Sequence, residues 1–200
     1  HHFATMTSGF NSVADEYLIK NLESLEATVS ANSKFSFYVD KNYETKMFFD
    51  GISKNDQKIQ DLAKSIRTAK DILEVYNAEN NLDNIIKYIN QIKLDLNNNS
   101  SENVNRLKGM IRDWEEEIAW GHLGIDCSNI SHMKLSFYAR KDDKFDLGQD
   151  IQKVVGLLER VDPDVVTVAS EQDPIGHKTH IKVFKIVSHA IKLYLQMHPL

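Results

Sequence analysis

The stretch from residue 165 to residue 180 limits the folds open to this chain more than any other part of it. A short β-branched run, 165–169, is followed by a polar loop that contains a proline, a glycine, two carboxylates and two histidines, and then by a segment with helical periodicity. This succession predicts a buried strand, a loop and a helix start. Because ligands of α/β proteins collect outside the carboxyl ends of strands, the loop is a candidate functional site.

Apolar spacing predicts the other elements. Residues recur at helical spacing in segments 13–29, 59–73, 82–96, 104–118, 151–161 and 181–195, with Asp146 as a candidate N-cap and Gly124 as a candidate helix end. Strand signals lie at 3–7, 133–137 and 165–169, and 35–39 is typical of either a strand or an aromatic loop. Because these strands alternate with helices, we expect an α/β fold, a parallel-type sheet flanked by helices.

The segment 53–100 differs from the rest of the chain in its sequence pattern, which is helical throughout and carries no strand signal. Two helical patterns are joined by a polar stretch and followed by an asparagine- and serine-rich linker. We interpret this segment as a helical hairpin inserted into a single domain that spans 1–200, and we expect no chemistry from it. In the next helix, Glu116 and Glu117 are expected on a solvated face.

Composition excludes several classes of protein. The net charge of −5 is spread over 200 residues without a basic block, which argues against a nucleic-acid partner. No apolar run approaches the roughly 20 residues of a membrane helix, so we expect no membrane association. The single cysteine, Cys127, cannot form an internal disulfide and fits a cytoplasmic protein. We expect Cys127 to be a packed or surface thiol rather than a nucleophile.

Two histidines of the loop, His177 and His180, are three residues apart and can face one site. Asp173 is close enough in sequence to orient an imidazole. The pattern occurs in metal and catalytic sites, but it is more often a helix start with exposed histidines. A zinc site requires at least three protein ligands, and this loop supplies one or two.

Four sequence blocks, in their order, resemble a known family. The blocks are His2-Phe3-Ala4-Thr5-Met6-Thr7-Ser8-Gly9, Ile111-Arg112-x-x-Glu115, Met133-Lys134-Leu135-Ser136-Phe137-Tyr138, and the stretch from Asp164-Val165-Val166 through Asp173-Pro174-x-Gly176-x-x-Thr179-His180. Their order resembles that of the LmbE/PIG-L family of zinc-dependent amino-sugar N-deacetylases. It is similar to the form attached to glucosamine-6-phosphate deaminase (isomerase)-like proteins.

The resemblance implies a Rossmann-like (LmbE-like) fold and a zinc ion. The family holds its metal with a His-Pro-Asp-Asp loop after the first strand and with one later histidine, which by position is His180 here. The resemblance gives His177 a role in assisting the transition state and Asp173 the role of an orienting neighbour.

The substrate pocket is implied by two further blocks. By position, the turn of Thr7, Ser8 and Gly9 and the side chain of Arg112 lie near an amino-sugar substrate. The implied mechanism is hydrolysis of the N-acyl group by a metal-activated water.

One departure from the family is large, because no His-Pro-Asp-Asp run occurs in this sequence. The first strand, two metal ligands and the general base are therefore missing, and we expect a piece of a longer polypeptide that alone neither holds zinc tightly nor catalyses deacetylation. The leading hypothesis is a portion of a metal-dependent hydrolase domain acting on N-acylated amino sugars, with a fused deaminase domain as partner. The alternatives are a non-catalytic appendage that binds a sugar phosphate or a partner, and an unrelated α/β protein with incidental histidines.

Overall fold

The computed structural model describes residues 1–31, 43–98, 101–140, 146–171 and 178–198, and this part of the chain is mainly helical. Its elements, in chain order, are β1 Phe3–Thr5, α1 Asp15–Ala31, α2 Tyr43–Ser53, α3 Gln57–Val75, α4 Leu82–Asn97, α5 Glu102–His122, β2 Ile130–His132, α6 Leu147–Val161 and α7 Lys178–Met197. The chain divides into a helical unit, Ser8–Ile130, and a terminal unit, which combines His1–Thr7 with Ser131–Leu200.

The helical unit is built around α3, which packs against α1, α2, α4 and α5. Its core is a set of aliphatic side chains spaced three or four residues apart on each helix, so that each helix turns one apolar face inward. The largest fully buried members are Leu18, Leu22, Leu25, Ile72, Ile85, Ile89, Ile92, Val104 and Leu107. Burial of each such side chain contributes roughly 1.5–3 kcal/mol, which makes this core the main source of stability in the unit.

Local signals at the helix ends agree with these boundaries. The side chains of Asp56, Asn81, Ser101 and Asp146 accept hydrogen bonds from backbone N–H groups in the first turns of α3, α4, α5 and α6. A cap of this kind stabilises a helix by about 1 kcal/mol. Gly124 follows α5 with a φ of 79°, a left-handed conformation that ends the helix. The predictions of Asp146 as an N-cap and of Gly124 as a helix end are confirmed.

The terminal unit combines a small sheet with two helices. β1 and β2 pair, and the backbone N–H of Met133 donates to the carbonyl oxygen of Thr5 at 2.9 Å. α6 packs against α7, and Leu135 lies in the apolar core between them. The buried carboxylate of Asp150 accepts hydrogen bonds from the backbone N–H and the hydroxyl of Ser136, each at 2.7 Å. These bonds hold the turn at 136–139 on α6.

The predicted α/β architecture is wrong. In the part of the chain that the structure describes, the only sheet is the pair β1 and β2, and helices make up most of the rest. A Rossmann-like sheet flanked by helices, with or without its first strand, is therefore not the fold of this chain. The six predicted helices are present, and α2, which the sequence reasoning did not assign, adds a seventh among the described residues.

Two predicted strands are absent where the structure describes them. Residues 165–169 have no regular secondary structure, and the side chain of Val165 is 80% exposed. Residues 133–137 run into a turn, although Leu135 and Phe137 are buried. Strand propensity depends on neighbouring strands to pair with, and the two short strands already pair with each other. The segment 35–39 lies outside the described residues.

The segment 53–100 contributes α3 and α4 to the helical unit. These two helices bury their apolar faces in the same core as α1 and α5. The interpretation of the segment as a hairpin inserted into a larger domain stays a prediction, but its side chains are integral to the packing of the unit.

Candidate functional site

The histidine loop is described only in part. His180 lies in the first turn of α7, and its side chain is exposed. Asp173 and His177, the two predicted catalytic residues, lie outside the described residues. Their roles stay predictions.

The described side chains do not fit a zinc ion. Over the ranges that the structure describes, no three histidine, cysteine or carboxylate side chains come together in a group that could hold a metal. His180, the predicted ligand, is a single donor, whereas a catalytic zinc site has three protein ligands. No catalytic step through a metal can be built from these residues. Burial, together with the nearby charges of Asp126 and Glu117, raises the pKa of the Cys127 thiol, which makes it a poor ligand and nucleophile at neutral pH.

A turn and a helix that lie far apart in sequence meet in the helical unit. Gly9 has a φ of 59°, and a β-carbon placed on it would lie 3.8 Å from Nε of Arg112 on α5. Ser8 is buried, and its hydroxyl oxygen accepts a hydrogen bond from the N–H of Phe10 at 3.4 Å. Arg112 in turn forms an ion pair with Glu115. Three of the predicted substrate-binding residues, Ser8, Gly9 and Arg112, are therefore neighbours.

The fourth predicted substrate-binding residue, Thr7, is the last residue of the first segment of the terminal unit. It is half-buried and follows β1. The structure assigns it to that unit rather than to the helical unit that contains the other three.

Glu115 also lines a cleft in the helical unit, which we call the Glu115 cleft. The cleft has a volume of about 170 Å³, and its surface is mainly apolar. Tyr17, Phe48 and Trp114 form its aromatic walls. Phe48 and Trp114 pack edge to face with their ring centroids 5.4 Å apart, which fixes the orientation of both rings.

Two members of a buried charge cluster, Arg67 and Asp71, line this cleft. The guanidinium of Arg67 pairs with Asp71 at 3.0 Å, with Glu117 at 3.1 Å and with Glu44 at 3.6 Å. Burial opposes the charged form of Arg67, but the three carboxylates outweigh it and hold the pKa of Arg67 above its ordinary value. Lys70 pairs with Glu44 at 2.7 Å and adds a second positive charge.

The aromatic wall is tied to the same cluster. The indole N–H of Trp114 donates to the hydroxyl oxygen of Thr45 at 3.1 Å, and the Thr45 hydroxyl donates to Glu117 at 3.1 Å. This chain of hydrogen bonds fixes the indole of Trp114 relative to the charge cluster. A preformed, partly apolar cleft with a few fixed polar groups is the usual form of a small-molecule site.

Tyr17 and Lys64 face each other at another side of the cleft. The ammonium of Lys64 lies 5.9 Å from the centre of the Tyr17 ring. Burial, and then the charge and hydrogen bonding of Glu115, raise the pKa of the Tyr17 hydroxyl, so the ring carries a neutral phenol. Among the described residues, Lys64 forms no ion pair.

The prediction that Glu117 lies on a solvated face is wrong. Glu117 is only 6% exposed, and its carboxylate accepts hydrogen bonds from Arg67 and Thr45.

The sequence reasoning also missed the cleft. A signal for it was available in α3, where Ser65, Thr68 and Asp71 interrupt the buried apolar face at intervals of three residues. A polar row on a buried face requires polar partners from another element.

Comparisons of the chain with protein-family models, curated proteins and solved structures found no match. Within the described ranges, every helix is too short or too polar to cross a lipid bilayer.

Proposed function

We propose that this chain is the substrate-binding portion of a hydrolase domain that acts on N-acylated amino sugars. The observation that carries the proposal is the meeting of the Ser8-Gly9 turn with Arg112, whose ion-pair partner Glu115 lines a cleft. These residues belong to two of the sequence blocks that resemble the deacetylase family, and the resemblance implies that both blocks lie near one substrate pocket.

The chemistry of the Glu115 cleft suits a sugar ring. The apolar faces of a pyranose pack against aromatic rings such as Tyr17 and Trp114. Its hydroxyl and acetamido groups are hydrogen-bond donors and acceptors, for which the paired charges of Arg67, Asp71 and Glu115 are fixed partners at the cleft surface. The chain's own residues thus bind and orient the sugar, whereas the amide hydrolysis depends on groups that the described residues do not supply.

A binding measurement tests this proposal. We expect N-acetylglucosamine to bind the chain, as followed by saturation-transfer NMR or calorimetry. Arg112→Gln should weaken its affinity about tenfold, because Glu115 at the cleft loses the ion pair that orients its carboxylate toward the ligand. Arg106→Gln, a change of the same kind on the same helix, is the matched control and should leave the affinity within about twofold. Absence of binding, or equal effects of the two variants, would contradict the proposal.

The metal requirement is tested on a longer polypeptide, in which a strand and a His-Pro-Asp-Asp loop of the deacetylase family are joined to the N-terminus of the chain. We expect this polypeptide to bind zinc stoichiometrically in a calorimetric titration and to release acetate from N-acetylglucosamine. His180→Ala should abolish tight zinc binding, because it removes one of three ligands. His189→Ala, further along α7, should leave it unchanged.

A non-catalytic appendage that binds a sugar phosphate is the second candidate. The observation that favours it concerns the metal ligands. Among the described side chains, no two others join His180 to form a three-ligand metal site. Sugar binding that persists without zinc binding or acetate release in the longer polypeptide would support this candidate over the first.

A further inference from the structure

Charge balance at the Glu115 cleft identifies one cation that is available to a ligand. Two of the carboxylates that line the cleft already have cationic partners, since Asp71 pairs with Arg67 and Glu115 pairs with Arg112. Lys64 lines the same cleft, and within the described part of the chain it forms no ion pair. Its ammonium lies against the face of the Tyr17 ring.

We propose that the cleft binds a monosaccharide-sized ring that carries one anionic group, with the anion held by Lys64. The inference rests on the proposed function for the identity of the ring and adds the charge that distinguishes the substrate class. A phosphate or carboxylate substituent supplies this anion equally well.

The position of Lys64 suits this role. The residue lies on α3, one turn before Thr68, and its half-buried side chain extends along the cleft wall formed by Tyr17. An ammonium that rests on an aromatic face is partly desolvated, and such a group gains more from an anionic partner than a fully solvated one does. The ring that holds Lys64 in place also offers an apolar face to the sugar. One tyrosine therefore positions both parts of the ligand.

The size of the cleft limits the ligand. A volume of about 170 Å³ accommodates one sugar ring with a small substituent and excludes an oligosaccharide from full enclosure. The three aromatic rings lie on different helices, α1, α2 and α5, so the ring is enclosed from more than one side.

Calorimetry with five probes tests the inference on the full chain. The probes are N-acetylglucosamine, N-acetylglucosamine 6-phosphate, glucose 6-phosphate, glucuronate and inorganic phosphate. We expect N-acetylglucosamine 6-phosphate to bind at least about tenfold more tightly than the neutral sugar, and inorganic phosphate to bind more weakly than any charged sugar, because it lacks the ring. Comparison of the affinities for glucuronate and for the 6-phosphate shows whether the cleft prefers a carboxylate or a phosphate.

Variants of Lys64 locate the anion. Lys64→Gln removes the charge and should reduce the affinity for the 6-phosphate about tenfold, to that of the neutral sugar, whereas Lys64→Arg should retain most of the preference. Lys58→Gln, an exposed lysine on the same helix, is the control and should leave all affinities within about twofold. Circular dichroism of each variant establishes that the helices are retained, and Lys64→Arg keeps the test valid if Lys64→Gln unfolds.

Each outcome separates this inference from the proposed function. Equal affinities for the charged and neutral sugars, or a preference that survives Lys64→Gln, would overturn the inference and leave the amino-sugar proposal standing. If glucose 6-phosphate binds as tightly as the N-acetylated compound, the anion site is supported and the amino-sugar proposal fails. If inorganic phosphate binds as tightly as the sugar phosphate, the cleft does not recognise a sugar ring and the inference fails. If none of the probes binds, both the inference and the proposed function fail.

Discussion

Arg67 holds together three carboxylates that come from three different helices. The side chains of Glu44, Asp71 and Glu117 are only 5%, 5% and 8% exposed, and that of Arg67 is 14% exposed. Solvent screens this cluster weakly, so its energetics follow the rule for buried ion pairs rather than that for surface ones. Removing one member of such a cluster leaves charges buried without their partner, which is more costly than the loss of the attraction itself.

Arg67→Met is expected to lower the free energy of unfolding by about 3–5 kcal/mol, because three buried carboxylates lose their shared cation. Lys54→Met is the control, since it breaks an exposed pair with Asp50 whose side chains are 59% and 47% exposed. That change should cost no more than about 0.5 kcal/mol. Urea denaturation followed by circular dichroism measures both. A loss at Arg67 as small as that at Lys54 would show that the cluster is accessible to water.

Tyr76 gives the helical unit a sensitivity to alkaline pH. Its ring stacks on that of Tyr88 with the centroids 4.2 Å apart, and its hydroxyl is buried with no hydrogen-bond partner among the described residues; Asn103 is near but too poorly placed to form one. Burial, followed by the charge of Asp95, raises the pKa of Tyr76 to about 12, above its ordinary value of 10.0. The stabilising contribution of the neutral phenol is therefore complete below pH 10 and is lost as the pH rises from 10 through about 12.

Tyr76→Phe should remove this loss. At neutral pH we expect the variant to be at least as stable as the parent chain, because a buried hydroxyl without a partner is replaced by hydrogen. Urea denaturation at about pH 8 and about pH 11 should show a smaller decrease in stability for the variant than for the parent chain. The same decrease in both proteins would exclude Tyr76 as the titrating group.

Two helical glycines differ in whether a neighbouring helix requires them. Gly121 lies in the last turn of α5, and a β-carbon on it would overlap the ring of Phe49 on α2. Gly156 lies within α6, and a β-carbon there would meet no atom within 4 Å. The first glycine therefore allows a close approach of two helices, whereas the second only weakens its own helix.

Substitution of these glycines by alanine should have opposite effects. Gly121→Ala should destabilise the protein by about 1–3 kcal/mol, because the ring of Phe49 and the backbone of α2 must shift. Gly156→Ala should stabilise it by about 0.5–1 kcal/mol, the helix preference of alanine over glycine. Thermal and urea unfolding measure both. A stabilising Gly121→Ala would mean that Phe49 can rotate away at no cost.

Each unit of the whole molecule has its own hydrophobic core. Leu22 belongs to the core of the helical unit and Ile186 to that of the terminal unit, and both side chains are 0% exposed. The two cores, as the described residues define them, share no residue. Stability is therefore expected to be lost unit by unit rather than uniformly.

Leu22→Ala and Ile186→Ala test this at the scale of the molecule. Each should reduce stability by about 2–5 kcal/mol through a cavity in its own core. Hydrogen exchange followed by mass spectrometry should show faster exchange in α1 and α3–α5 for the first variant and in α6 and α7 for the second. Equal acceleration across both units in either variant would show that they unfold as one.

Sequence alone determined most of the helices. Periodic apolar residues locate α1 and α3–α7, and the predicted N-cap Asp146 marks where α6 begins. These predictions were reliable because helical hydrogen bonds join residues four apart, so the pattern that specifies a helix lies within the helix itself. The order of the sequence blocks also implies that Gly9 and Arg112 lie near one substrate pocket, and their role in binding stays a prediction.

The tertiary structure alone decided the rest. Whether 165–169 forms a strand depends on the presence of a pairing partner, and whether Glu117 is solvated or buried depends on Arg67, a residue on another helix. The same holds for the cleft in which Lys64 has no carboxylate partner among the described residues. Strand pairing, charge burial and cleft formation join residues that are distant in sequence, and the local pattern of a single chain carries no signal for such contacts.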